Sequence, residues 1–267
     1  CFKPRDALRA EFAQVETDRL PYRARHAIDA ALWDLEAKRK GMPVWKLAGV
    51  DPPRPLTTTF TIGADEPSVM ADHARAFGDA RALKLKLTDD EFNAERVRAV
   101  RAARPDVWMM VDANQVLSRN EALRRGLVYQ QMGVEWFEEP LRPHDKAGYA
   151  WLCDQLALPV AAGENEYGKY HVYELLASGG CDILQPDRRR TAGPSEWIEI
   201  AGLAAAMHVP VASHGGDLAT VHLLMATPTA IWCETGGVPK GSGSTVESPR
   251  IEHGWVYAPE TPGFGLE

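Results

Sequence analysis

Leu83-Lys84-Leu85-Lys86-Leu87 is one of a series of short apolar runs that each carry or lead into an ionisable residue. Asp112 closes WMMVD, Glu138 follows VEWF, and Glu164 follows PVAAG. Asp187 follows DILQP, His214 follows VPVAS, and Glu234 follows AIWC. From Lys86 to Glu234 the successive intervals are 26, 26, 26, 23, 27 and 20 residues. Each interval accommodates one strand, one helix and two connections, the period of repeated β–α units. A parallel barrel built from such units gathers the C-terminal ends of its strands on one face, where distant segments assemble a site. Within LKLKL, alternation puts Leu83, Leu85 and Leu87 on one face and the lysines on the other. In a barrel those lysines point inward, which is costly to bury without a purpose.

Working outward, LTTTFTI at 56–62 is β-branched and bounded by Pro55 and Gly63, so it reads as the first strand. Further strands are expected at 83–87, 107–111, 134–137, 159–162, 182–185, 209–213 and 230–233. Helices are expected at 68–78, 91–103 and 195–207, and after Ser118, where Glu121 completes the pattern of a capping box. Upstream, Ala27, Ile28, Ala31, Leu32 and Leu35 recur at helical spacing between Tyr22 and Lys40, and Gly41 and Pro43 stop that helix. Residues 5–20 carry mixed charge and a weak helical pattern, and Pro21 stands at the entry to the helix. VWKLAGVDPPRP reads as a short helical turn and a Pro-rich connection. The tail, 238–267, is rich in Gly, Ser and Pro and holds one strand-like run, GWVYA.

Composition bounds the function. A chain of 267 residues with 45% hydrophobic and 25% charged residues has ordinary globular content. An eight-unit barrel needs about 250 residues. The net charge of −7 argues against a general nucleic-acid surface. No apolar run approaches membrane-spanning length, and CFKPRDALRA lacks the apolar core of a signal peptide. Cys1, Cys153, Cys181 and Cys233 form no CxxC pair, so neither a zinc site nor a disulfide framework is expected. Reduced thiols in a cytoplasmic enzyme, with no nucleic-acid or membrane partner, are the expectation.

Asp112, Glu138 and Glu164 end three consecutive strands. Neighbouring strands lie about 4.8 Å apart, so the three carboxylates can converge. They would repel one another unless a cation sits between them. Oxygen-only donors favour Mg²⁺, or Mn²⁺, over zinc, and an octahedral ion would keep positions for water and a substrate carboxylate. Lys84 and Lys86 flank this group on one side. A lysine beside a divalent cation and a second lysine has a lowered pKa and can act as a base. On the other side Asp187 and His214 end neighbouring strands, and an aspartate on Nδ1 fixes the imidazole tautomer and raises its basicity. His26, His73, His144, His171, His208, His222 and His253 fall on helices or loops and read as structural. A base on each face of a metal-bound carboxylate suits removal of the proton α to that carboxylate. The resulting enediolate needs a cation and hydrogen-bond donors for its second negative charge.

These residues resemble the enolase superfamily, in particular its mandelate racemase-like subgroup. The resemblance runs from about Arg25 to the end. Its motifs are Lys84-Leu85-Lys86, Asp112-Ala113-Asn114, Glu138-Glu139-Pro140, Gly163-Glu164-Asn165, Gln185-Pro186-Asp187 and Ser213-His214-Gly215, and AIDAALWDLEAK is similar to the helix before the family's barrel. The resemblance implies an α/β fold, a (β/α)₇β barrel of the TIM type. It implies Asp112, Glu138 and Glu164 as ligands of one Mg²⁺, Lys86 as a base, and Lys84 holding the substrate carboxylate. It implies His214 with Asp187 as the opposite acid/base, Glu234 as a hydrogen-bonding partner of the enediolate, and Asn114 at the substrate. Glu139 is left as structural. Most of the family's N-terminal capping domain would be missing, with 1–54 leading into a barrel at 55–237 and 238–267 packing on the cap.

After Asp187 members continue with small apolar residues and Gly-Gly, whereas this chain reads Arg188-Arg189-Arg190. That is an exposed loop, or an arginine such as Arg188 binds the distal carboxylate of a diacid. The expected reaction is dehydration of a sugar acid to a 2-keto-3-deoxy acid. The alternatives are racemisation or epimerisation of a 2-hydroxy acid on the same residues, and a metal-binding barrel without turnover. The partner is a small-molecule carboxylate, and relatives imply a homo-oligomer.

Overall fold

The computed structural model describes residues 22–49, 54–235 and 249–266. Eight parallel strands close on themselves: β1 (Leu56–Ile62), β2 (Ala82–Lys86), β3 (Trp108–Asp112), β4 (Phe137–Glu138), β5 (Val160–Ala162), β6 (Ile183–Leu184), β7 (Val211–Ala212) and β8 (Ala230–Thr235). β8 pairs back onto β1, with Thr59 opposite Glu234. Between them run α3 (Pro67–Ala76), α4 (Asn93–Ala103), α5 (Arg119–Gln131), α6 (Lys146–Gln155), α7 (Gly168–Ala177), α8 (Pro194–Ala206) and α9 (Leu218–Met225). This is the expected (β/α)₇β barrel. It is preceded by α1 (Tyr22–Arg39) and α2 (Val44–Leu47) and followed by a hairpin, β9 (Ile251–Glu252) and β10 (Trp255–Val256). The GWVYA run supplies β10, which pairs antiparallel with the start of β1 at Leu56 and Thr57. Cys1, the pattern at 5–20, Pro21, the Pro-rich stretch at 50–53 and residues 236–248 of the tail lie outside the described residues.

Strand parity explains how one barrel holds both a core and a charged site. Leu83, Leu85, Met109, Val111, Phe137 and Val160 are buried in the cluster between strands and helices. Residues of the other parity face the barrel axis. Low in the axis, Ala82, Met110, Trp136, Ala161, Ile183 and Ala212 pack with Ile231 and Trp232 into an apolar floor. Two residues further along, the same strands or the loops that extend them carry Lys84, Asp112, Glu138, Gly163, Gln185, His214 and Glu234. The units from β2 to β8 therefore each contribute an apolar residue to the floor and, in most cases, a polar one to the mouth. The expected strand at 134–137 narrows to Phe137–Glu138, and other predicted ends move by one or two residues.

Ser118 caps α5 as expected, accepting from Glu121 N–H. The reciprocal half of the capping box is replaced, because the Glu121 carboxylate instead binds Arg124 and Arg125. In α1 the helix is where its spacing predicts, but the apolar stripe is not the buried face. Ile28 and Leu35 are 39% and 42% exposed, whereas Asp29, Trp33 and Ala37 are buried. Specific bonds choose that face. Asp29 accepts from Ser195 N–H at 2.8 Å and Ser195 Oγ at 2.7 Å, and Trp33 Nε1 donates to the same Oγ at 2.9 Å. Asp29 thus caps the first turn of α8 from another helix, which Gly193 cannot do with a side chain. Gly193 is glycine because its φ is +118° and a Cβ there would come within 2.6 Å of Asp29. Asp29→Ala is expected to cost about 2 kcal/mol of stability, read as a lower urea midpoint at unchanged m.

Candidate active site

The register aligns the mouth. Lys86 is the Cα partner of Asp112, and Asp112 that of Glu138. Lys84, two residues earlier and on the same face as Lys86, is 1% exposed. Its ammonium donates to Glu138 Oε1 at 2.6 Å and lies 2.7 Å from Glu234 Oε1 and 3.7 Å from Asp112 Oδ2. Burial alone would lower its pKa, but Glu138, Glu234 and Asp112 outweigh burial and raise it well above the ordinary lysine range. These three carboxylates therefore hold Lys84 as a positive charge. Lys86 is partly exposed at the rim and donates to Asp112 Oδ2.

Glu138 is held from below as well. Its Oε2 accepts from Gln185 Nε2 at 2.9 Å and from Trp136 Nε1 at 3.3 Å. Burial pushes its carboxyl up to about 7, with Asp112 and Glu234 adding and Lys84 opposing. Burial also raises Glu164, and its Oε2 is buried with no hydrogen-bond donor. Among the described residues, no three His, Cys, Asp or Glu side chains are drawn together closely enough to hold one ion. Lys84 stands between Asp112 and Glu138 instead. The donors nevertheless fit a hard cation. Asp112, Glu138 and Glu164 offer only oxygen from successive strand ends, and Glu164 Oε2 makes no hydrogen bond, His214 Nε2 approaching it to 3.3 Å.

Across the mouth, His214 Nδ1 lies 3.0 Å from Asp187 Oδ2, and its Nε2 lies 3.3 Å from Glu164 Oε2. Burial disfavours the imidazolium, but Asp187, Glu164 and Glu234 overcome this and raise the pKa. Burial would raise Asp187, yet hydrogen bonds from His214 and Arg189 hold it well below the usual carboxylate range. Asp187 therefore stays ionised, fixes the proton on Nδ1 and leaves Nε2 for chemistry. The two glycines after His214 have separate reasons. Gly215 has φ +73°, and its N–H donates to Glu234 Oε2 at 3.0 Å. A Cβ on Gly216 would come within 2.0 Å of the Glu234 carbonyl oxygen.

Glu234 accepts from Gly215 N–H, from Thr61 Oγ1 at 3.1 Å and from Lys84. Burial would raise its pKa, but Lys84 brings the carboxyl down to about 2. In this arrangement Glu234 is an acceptor. Asn114 stands exposed at the rim with φ +44°, its backbone N–H donating to Asp112 Oδ1 at 2.8 Å.

The arginine run is not a free loop. Arg188 Nε sits 2.9 and 3.0 Å from the two oxygens of Asp217, and Nη1 is 2.9 Å from His26 Nε2. Arg189 binds Asp187, and Arg190 donates to Asn165 Oδ1. Arg188 is thus engaged on both sides. Sequence reasoning gave no role to Trp136, Gln185, Thr61 or His26. The first two could have been found by parity, since each lies two residues before a predicted site residue on the inward face. Glu139, left as structural, is 1% exposed and accepts from Asn165 Nδ2 at 2.7 Å and Gln115 Nε2 at 2.7 Å. It ties together the loops after β3, β4 and β5.

Comparison with known proteins places this geometry. Residues 69–267 match the family described as Enolase C-terminal domain-like, and residues 5–49 match Mandelate racemase / muconate lactonizing enzyme, N-terminal domain. The chain is 32% identical over 250 residues to a 3,6-anhydro-alpha-L-galactonate cycloisomerase of Streptomyces coelicolor, covering 90% of this chain and 68% of that protein. It is 34% identical over 215 residues to the L-talarate/galactarate dehydratase of Salmonella typhimurium, covering 78% of this chain and 54% of that protein. Among solved structures it resembles D-glucarate dehydratase from Agrobacterium tumefaciens complexed with magnesium, with TM-score 0.86, 27% identity and coverage of 98% and 76%. It likewise resembles a Bradyrhizobium enolase complexed with magnesium and mandelic acid, with TM-score 0.86, 29% identity and coverage of 98% and 73%.

Proposed function

Because this chain belongs to the mandelate racemase / muconate lactonizing enzyme family, with its enolase-like C-terminal domain, we propose that it dehydrates a sugar acid to a 2-keto-3-deoxy acid. The observation that carries the reading is the His214–Asp187 pair, set across the mouth from Lys86 with the acidic strand ends between them. The L-talarate/galactarate dehydratase and D-glucarate dehydratase relatives support the substrate class.

Asp112, Glu138 and Glu164 would hold Mg²⁺, which when bound stabilises the second negative charge of an enediolate. Relatives complexed with magnesium support that ion. Lys84 would pair with the substrate carboxylate. Lys86, or His214 from the other face, takes the α-proton, and the C–H electrons move into the carboxylate system as the enediolate. The β-carbon–oxygen bond then breaks. His214, as the imidazolium favoured by its carboxylate neighbours, delivers its Nε2 proton to the departing hydroxyl, which leaves as water. The enol tautomerises to the 2-keto-3-deoxy acid. Glu234, relieved of Lys84 and protonated, would donate a hydrogen bond to the enediolate oxygen.

The test is proton NMR in D₂O with Mg²⁺ and a panel of aldonic and aldaric acids. A 2-keto-3-deoxy product is the expected result. Loss of the α-proton signal without a new product would replace the reading with racemisation. Silence across the panel would count against catalysis on these acids.

A further inference from the structure

A cavity of about 400 Å³ lies behind the acid/base pair, lined by Arg23, His26, Tyr167, Asp187, Arg189 and Arg190. Its charge runs against that of the chain, which carries 37 acidic and 30 basic residues. Asp187 is the only carboxylate among the described lining residues, and Arg189 already binds it. Arg190 donates to a neutral acceptor, Asn165 Oδ1, and stacks over Tyr167 with its guanidinium carbon 5.3 Å from the ring centre. Among the described residues neither Arg190 nor Arg23 is paired with a carboxylate. Two guanidinium charges therefore border one concave space without a counter-ion.

His26 lines the same cavity as a neutral ring. Arg188 Nη1 lies 2.9 Å from His26 Nε2. A guanidinium can only donate, so Nε2 must be the accepting nitrogen and Nδ1 carries the hydrogen. That Nδ1 is buried and has no hydrogen-bond partner. Guanidinium groups bind the oxygens of carboxylates and phosphates in pairs.

We propose that this cavity is a second oxyanion site, taking a carboxylate or phosphate group on Arg23 and Arg190. The site is joined to the catalytic groups on two sides. Arg189 connects it to Asp187 and so to His214. Asn165 connects Arg190 to Glu139 and, at 3.3 Å, to Glu164 Oε1. The group has two sources with the same chemistry: the far carboxylate of a dicarboxylic sugar acid held at the mouth, or a separate free anion. Only the first rests on the dehydratase reading.

Calorimetric titration of the full chain with inorganic phosphate tests the site without needing turnover. Arg23→Gln and Arg190→Gln are each expected to weaken phosphate binding roughly tenfold, with thermal melts showing that both variants fold. Phosphate displaced by an aldaric acid but not by the aldonic acid of equal length would identify the far carboxylate as the occupant. Phosphate and both acids binding independently would identify a separate anion. Wild-type phosphate affinity in both folded variants, or no phosphate binding by the wild type, overturns the site.

Discussion

Replacing His214 with asparagine is expected to lower sugar-acid dehydration by about a thousandfold, the scale of a lost general acid. The loss should fall on kcat. His214 bonds Asp187 and approaches Glu164, but Asp187 keeps its bonds from Arg189 and Glu138 keeps those from Lys84, Gln185 and Trp136. The scaffold around the mouth is therefore independent of the imidazole, and melting should change little. α-Proton exchange and product formation should separate in this variant. Lys86 remains on the other face to exchange the proton with solvent, while departure of the hydroxyl lacks its acid. Single-turnover NMR in D₂O reads both at once. Product formation at near wild-type rate in H214N would remove His214 from the mechanism and the His214–Asp187 pair from its central place.

Lys84→Met is expected to produce the largest change in stability. The methionine fills similar space but leaves Glu138, Glu234 and Asp112 facing one another without the ammonium that now lies 2.6, 2.7 and 3.7 Å from them. Removing one partner of a buried ion pair costs about 3–5 kcal/mol. For a domain of this size that corresponds to a fall in Tm of roughly 10 °C. Mg²⁺ should restore part of the loss, because a divalent cation bound by the same carboxylates supplies the missing charge. Lys86→Met is the contrasting case. Its side chain is 27% exposed and, among the described residues, is paired with Asp112 alone, so its removal should cost about 1 kcal/mol or less while activity falls steeply. Equal melting temperatures for K84M and the wild type would mean that the carboxylates repack or protonate without penalty, and would overturn the role of Lys84 as the fixed charge of the mouth.

The sequence by itself determined the barrel and the roster of its mouth. Regular spacing of apolar runs specifies repeated β–α units. The two-residue parity of a strand then requires that Lys84, Asp112, Glu138 and Glu234 share the inward face. Both follow from local geometry, so they can be read without knowing how the strands meet. Tertiary structure decided what each charged group is. Whether a lysine's pKa falls or rises depends on which charges surround it, and at Lys84 three carboxylates from three other strands raise it. The same holds for Glu234, an acceptor because Lys84 lies against it. In α1 the apolar stripe predicted the helix but not its buried face, because Asp29 and Trp33 are chosen by Ser195, 166 and 162 residues away. His26 gained its place beside Arg188 by a contact across 162 residues. Periodicity encodes what a segment does with its own neighbours, whereas burial and electrostatics sum over groups that only the closed barrel brings together.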